Sequence, residues 1–304
     1  MNCVGKKKSI KFADTVFYLT PKQKNMKRHL FVSLLFVILS TLSCWSQDTI
    51  RVLAIGNSFS EDAVEHYLYE LGKEQNITFI IGNMYIGGCS LERHWNNTLT
   101  NKADYEYRKI NSDGTKQLKK KATLLDGITD ERWDYISLQQ NSGNSGIIST
   151  YFPYLTDMLA YVKAHATNPK VKYMFHATWA YESNSPHEDF AKYNKDQVTM
   201  YNAIVKSVKE ATKKVGIRIV IPSGTAVQNG RNSVIGDHFC RDSYHLSLDL
   251  GRYTAACTWF ERITGKSVLN SKFAPSTVSA TNAEIARKAA HYAIKSPYKV
   301  TPIR

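Results

Sequence analysis

The sequence predicts an α/β fold: a three-layer αβα sandwich around a five-stranded parallel sheet. Three observations carry this. Short strand-like runs recur five times, and the first, at 51–55, is mostly apolar with β-branched residues, the pattern of a strand covered on both faces. Segments with helical periodicity separate them. No internal repeat or low-complexity linker interrupts the alternation, so the connections read as crossovers within one sheet. The 304 residues suffice for one substantial α/β domain, and 43% hydrophobic with 22% charged content is ordinary for a globular chain.

The first 46 residues stand apart. Met26, Lys27 and Arg28 precede an apolar run at 30–42, the basic and apolar regions of a signal peptide. The run is too short for a confident membrane span. Residues 1–25 then read as an upstream extension and residues 26–46 as the signal. Cleavage after Ser46 would leave Gln47 as the terminus. Cleavage before Cys44 would instead leave a lipoprotein, the one route to a membrane. Either way the expectation is export to the periplasm or cell surface. This segment holds eight of the 40 Lys and Arg but one of the 26 Asp and Glu. The rest has 32 cations against 25 anions, a net +7 of the formal +14, dispersed along amphipathic segments. The tight run from Lys116 to Lys121 reads as a solvated helix face, so no nucleic-acid partner is expected.

The domain, residues 48–270, follows in order. Residues 50–55 form strand one, ended by Gly56 and Asn57, which tolerate turn dihedrals. Ser58 or Ser60 can cap the next helix, at 62–75. Strand two is 77–81, followed by a loop-rich stretch to 101 with Gly87 and Gly88. Residues 102–116 read as a small surface hairpin, and 118–129 as a helix. Strand three is 135–138, with a helix at 151–165. Strand four is 171–175, and a long helix at 188–215 carries an apolar stripe of Val198, Tyr201, Ile204, Val205 and Val208. Strand five is 217–221, stopped by Pro222. A helix at 248–264 ends at Gly265, a C-cap residue. Residues 271–304 form a helical extension, alanine-rich from 279 to 295, packed on the domain.

Four blocks sit where the carboxyl ends of strands present their loops, the usual ligand side of an open sheet. Ser58 follows strand one. Gly87, Gly88, Cys89 and Ser90 follow strand two. Gln140, Asn141, Ser142, Gly143 and Asn144 follow strand three. Asp242 and His245 lie in one loop after strand five. In this order the blocks resemble the SGNH (GDSL-like) hydrolase superfamily, and more closely the DUF4886-type family of Bacteroidetes, over about residues 50–265. The resemblance implies the flavodoxin-like SGNH hydrolase fold and an acyl-serine mechanism without metal or cofactor. A serine is a poor nucleophile until a base takes its proton. His245 fills that role, and Asp242 would fix its tautomer and stabilise the imidazolium.

The same resemblance places an oxyanion hole on the Ser58 and Gly88 N–H groups and a third-block amide. The superfamily's usual Gly-x-Asn-Asp is absent, and an ungapped match puts Gly143 where the asparagine belongs. Gln140 and Asn141 are the favoured donors, with Asn144 left open. The reading is an exported serine esterase removing acyl groups, most simply O-acetyl, from an acylated glycan or small ester. A catalytically inactive carbohydrate-binding or surface protein is the alternative. Trp95, Trp179, Tyr181 and Tyr244 lie on or near the site loops and either stack on sugar rings or belong to the core. His176 reads as a buried or lining histidine, and Asp237 with His238 as structural. Of the cysteines beyond the signal, Cys89 and Cys240 flank site residues and should lie close. They are either bridged, as an oxidising compartment permits, or small buried hydrophobes. Cys257 should be a buried thiol.

Overall fold

The computed structural model describes residues 48–303. The expected upstream extension, signal and Cys44 anchor lie outside them. Seven strands form one sheet: β1 (Asp48–Gly56), β2 (Ile77–Tyr85), β3 (Tyr105–Ile110), β4 (Lys116–Ala122), β5 (Tyr135–Leu138), β6 (Lys172–His176) and β7 (Ile219–Ile221). Their spatial order is β4-β3-β2-β1-β5-β6-β7. β1 pairs in parallel with β2 and β5, and β5-β6-β7 continue in parallel. These five strands have the flavodoxin-like order, whose switch point lies between the first strand and the one across from it. Here that is the junction of β1 and β5. Val52, Leu53, Ala54 and Ile55 are fully buried, as a central strand covered on both faces requires.

Nine helices are described. α1 (Ser58–Val64), α2 (Leu68–Glu74), α7 (Ser223–Arg231), α8 (Leu250–Thr264) and α9 (Ala280–Lys295) pack together as one layer. α3 (Leu91–Leu99), α4 (Leu124–Asp130), α5 (Tyr154–His165) and α6 (Gln197–Val215) make the other. The alanines of α9 (Ala283, Ala286, Ala289, Ala290 and Ala293) are buried, letting its backbone lie close to α7 and α8. No described helix is long and apolar enough to cross a membrane.

The α/β/α class stands, but the sheet has seven strands instead of five. The hairpin is not a surface insertion. Its β3 pairs antiparallel with β2, and β4 forms the sheet edge. The helix expected over 118–129 is therefore strand to Ala122 and helix only from Leu124. Lys116 to Lys121 is the exposed face of β4, where lysines discourage pairing with another chain. The helix expected over 62–75 is two helices, because Tyr67 takes φ 65° between them. The one expected over 188–215 is a 3₁₀ turn, Glu188–Tyr193, then α6. Asn194 and Lys195 at φ 57° and 52° break it, and Val198 is exposed. The stretch after β2 contains α3, capped by Ser90.

Candidate active site

Asn57 leaves β1 in extended conformation and caps α1, its Oδ1 accepting the Phe59 N–H at 3.0 Å. Ser58 thus sits on the first residue of the helix, at the switch point. Gly56 allows this turn, since a Cβ there would lie 2.7 Å from the Gln139 side chain. Ser58 Oγ lies 2.7 Å from His245 Nε2, and His245 Nδ1 lies 2.7 Å from Asp242 Oδ2. Asp242 also accepts the His245 N–H at 2.7 Å and the Tyr244 N–H at 3.3 Å. Burial works against the Asp242 charge, but the His245 ring, these N–H groups and the imidazole charge together hold its carboxyl below the ordinary range.

The loop bearing Asp242 and His245 is closed on itself. Cys240 and Leu246 form an antiparallel bridge, and the Arg241 N–H donates to His245 O at 2.9 Å. Ser243 takes φ 72° at its tip, a conformation rarely held by a non-glycine residue outside tight functional turns. Asp62, one turn beyond Ser58 and fully buried, fastens this loop to α1. Its carboxylate accepts from Arg252 Nε at 2.8 Å, Arg241 Nη1 at 3.0 Å and the Leu246 N–H at 2.9 Å. The sequence reading missed Asp62. Its partners lie more than 175 residues away, and an acidic residue in a first turn has a sufficient local explanation.

A cavity of about 380 Å³ opens over Ser58, lined among others by Gly88, Asn141, Ser142, Asp189, Tyr244 and His245. Gly88 has φ 62°, a position suited to glycine. Asn141 lines the cavity, with its Oδ1 buried and unpartnered. Gln140 does not line it. Its Oε1 accepts from the N–H groups of Leu91 and Asn141, and its Nε2 donates to Thr150. The expectation for Gln140 is corrected on that ground: it follows the end of β5 turned into the protein, with no donor left for a ligand. Asn144 is committed through Oδ1 to Lys192 Nζ at 3.0 Å and is not among the lining residues.

Of the four aromatic candidates, only Tyr244 lines the cavity. Trp179 is fully buried, stacks on Phe59 at 4.4 Å and donates to Tyr244 O. Tyr181 is fully buried, bonded to Ser142 Oγ at 2.8 Å. Trp95 packs against the core from α3 and lies outside the cavity. These three are parts of the scaffold. Lining residues not anticipated include Tyr85 at the end of β2, His187, edge-on to Tyr244 at 4.7 Å, and Asp189, ion-paired with Lys192 at 2.6 Å. His187 and Asp189 lie at the start of the segment read as a helix from 188, His187 capping its first 3₁₀ turn. Asp237 has a structural part, accepting from Ser183 and Gln197 and ion-paired with Arg231 at 2.8 Å.

All three described cysteines are free thiols, which corrects the bridged reading of Cys89 and Cys240. Cys89 Sγ is directed to Ser90 O at 3.7 Å, while Cys240 Sγ faces Arg231 Nη2 at 3.7 Å. Burial pushes both thiols up to about 12. Cys257 is buried in α8. Among the described residues no group of three or more His, Cys, Asp or Glu is placed to hold a metal ion.

Residues 51–293 match the family described as Domain of unknown function (DUF4886). The chain belongs to the DUF4886 family. A DUF4886 family protein from Bacteroides uniformis is 50% identical, with a TM-score of 0.83 over 84% of this chain and 98% of that one. An acetylxylan esterase from Geobacillus stearothermophilus is 12% identical, with a TM-score of 0.47 over 72% of this chain and 96% of that one. A protein named TesA is 12% identical, with a TM-score of 0.45 over 71% and 98% of the two chains. No curated protein matches the sequence at a significant level.

Three histidines in this DUF4886 chain tie its stability to pH. Burial holds His94 and His176 neutral, and burial with nearby cations does the same for His66, each pushed down to about 3. An unfolded histidine takes up a proton near pH 6.5, so between pH 6.5 and 3 the unfolded chain binds more protons. Their stabilising effect is complete above pH 6.5 and is lost as pH falls toward 3. Each adds a slope of about 1.4 kcal/mol per pH unit in that window. Urea unfolding at pH 7 and pH 5 should show the loss, and His94→Gln should make the acid slope shallower.

Proposed function

We propose that the protein is a serine esterase of the SGNH type, acting on short acyl esters, most simply O-acetyl groups on a carbohydrate. The single observation supporting this reading is the line from Ser58 Oγ to His245 Nε2 to Asp242 Oδ2, with both gaps at 2.7 Å. His245 accepts the Ser58 proton as Oγ attacks the ester carbonyl carbon. Asp242 holds Nδ1–H toward itself and stabilises the imidazolium. The carbonyl oxygen becomes an oxyanion facing three donors: the N–H of Ser58, the N–H of Gly88 and the side-chain amide of Asn141. The first helical N–H groups lack intrahelical partners, and Asn57 takes that of Phe59, leaving that of Ser58. The tetrahedral intermediate collapses, and the alcohol leaves with the proton from His245. Water then attacks the acyl-serine with His245 as base, releasing the acid and restoring Ser58.

The cavity favours a small acyl group and a hydroxyl-rich alcohol. Its wall mixes Asn141, Ser142, His187 and Asp189 with Tyr85 and Tyr244, a lining for sugar hydroxyls and ring faces. The basic and apolar run at 27–42 supports export to the periplasm or cell surface. Acetate release from O-acetylated xylo-oligosaccharides, compared with hydrolysis of p-nitrophenyl acetate and octanoate, tests the reading. Acetate release with little octanoate turnover is expected. Glycan binding without release would point to the inactive carbohydrate-binding alternative. Replacing the side-chain donor, Asn141→Ala, should lower kcat by roughly 10²–10³ with KM little changed. Gln140→Ala should not reproduce that split, since its amide is engaged elsewhere.

A further inference from the structure

A row of buried side chains crosses the carboxyl edge of the sheet beneath the Ser58 turn, in the same order as the strands. Asn57 follows β1, Gln139 follows β5, His176 ends β6, and Ser223 begins α7 just after β7. None is more than 1% exposed. Asn57 Nδ2 donates to Cys89 O beyond β2 at 3.0 Å. Gln139 Nε2 donates to Asn57 Oδ1 at 2.7 Å. His176 Nδ1 lies 2.9 Å from Gln139 Oε1, and its Nε2 lies 3.0 Å from Ser223 Oγ.

Backbone groups fix the direction of every bond. The Phe59 N–H can only donate, so the Asn57 atom facing it is oxygen. The Cys89 carbonyl can only accept, so the other Asn57 atom is nitrogen. Gln139 must then present its NH₂ to Asn57 and its oxygen to His176. That oxygen needs a donor, so Nδ1 of His176 carries the proton and Nε2 accepts from Ser223. Trp179 and Trp259 pack edge-on against the ring at 6.1 and 5.1 Å. Burial alone shifts its titration, with no charged group contributing.

We propose that Gln139 and His176 are positioning residues for the Ser58 nucleophile, holding Asn57 in the one amide orientation that fixes the start of α1. This rests on the acyl transfer proposed at Ser58. A glutamate at 139 would be wrong only when ionised. Its carboxylate would set an acceptor against Asn57 Oδ1, and Asn57 cannot turn without losing both backbone bonds. Protonated, it restores the pattern, with O–H toward Asn57 and C=O toward His176.

Two measurements on the described domain within the full chain test this. In ¹⁵N-histidine spectra, His176 should be the neutral Nδ1–H tautomer from pH 5 to 8. The Nε2–H tautomer, or titration in that range, overturns the row. The second measurement is Ser58 modification by a fluorophosphonate over the same range, in wild type, Gln139→Met and Gln139→Glu. Gln139→Met should react roughly 10- to 100-fold more slowly at every pH, the scale of one buried hydrogen bond left unmade. The Gln139→Glu rate, divided by that of wild type, should rise as pH falls. A ratio independent of pH, or a wild-type rate in Gln139→Met, overturns the positioning role. Should Gln139→Met fail to fold, the Gln139→Glu ratio decides alone. An unreactive wild-type Ser58 removes the acyl-transfer reading and the positioning role with it, while the tautomer stands or falls on its own spectrum.

Discussion

Ser58→Ala is expected to lower p-nitrophenyl acetate turnover by on the order of 10⁴–10⁶-fold, and His245→Ala to the same extent. Equal losses follow from the geometry. The serine proton has a single acceptor, His245 Nε2, at 2.7 Å. Removing either member leaves the same remainder, binding plus the oxyanion donors. The double variant should therefore be no slower than either single one. Asp242→Asn should fall between these and wild type, because it leaves Ser58 and His245 in place but offers Nδ1–H a poorer partner. Activity within tenfold of wild type in Ser58→Ala would place the nucleophile elsewhere.

Asp62→Asn should be among the most destabilising single changes in the protein. The carboxylate is fully buried and gathers two guanidinium groups and one backbone N–H. Removing its charge leaves Arg252, itself nearly buried, without its main counter-ion. Breaking such a pair typically costs about 3–5 kcal/mol, which for a domain of this size lowers Tm by roughly 10 °C. The effect on activity should appear well below the melting temperature. Arg241 and Leu246 bracket the segment that carries Asp242 and His245, so loosening them moves the base away from Ser58. Thermal melts and ester turnover at 20 °C measure the two effects. A variant that melts early yet keeps full turnover would separate Asp62 from the alignment of the Ser58–His245 pair.

What was legible in the sequence is what is local in the chain. The β1 run, the turn at Gly56 and Asn57 and the start of α1 are contiguous. So are Asp242 and His245, which need only one loop to meet. Gln139 and Gln140 show where legibility stops. They are neighbours at the end of β5, and successive side chains leave a strand on opposite faces. Nothing in two adjacent glutamines says which one turns under Asn57 and which turns to Thr150. Trp179 and Tyr181 were ambiguous for a similar reason, since an aromatic residue near a site loop serves equally as floor or as core. The edge strand β4 was misread because lysines exposed along its length leave no alternation to recognise. Asp62 was invisible because its meaning lies in Arg241 and Arg252, brought back to it only by the completed fold.

The separation of 187 positions between Ser58 and His245 also sets a clock on synthesis. A ribosome adding about 5–20 residues per second takes roughly 10–40 s to make the base after it has made the serine. During that interval β1 is a central strand awaiting β5, and Asp62 is an acid without its arginines. The nascent chain thus carries a serine hydroxyl of ordinary reactivity until the loop after β7 arrives. On the proposed mechanism, a chain that ends anywhere in that span lacks its base, so reactivity at Ser58 would report that synthesis has passed His245.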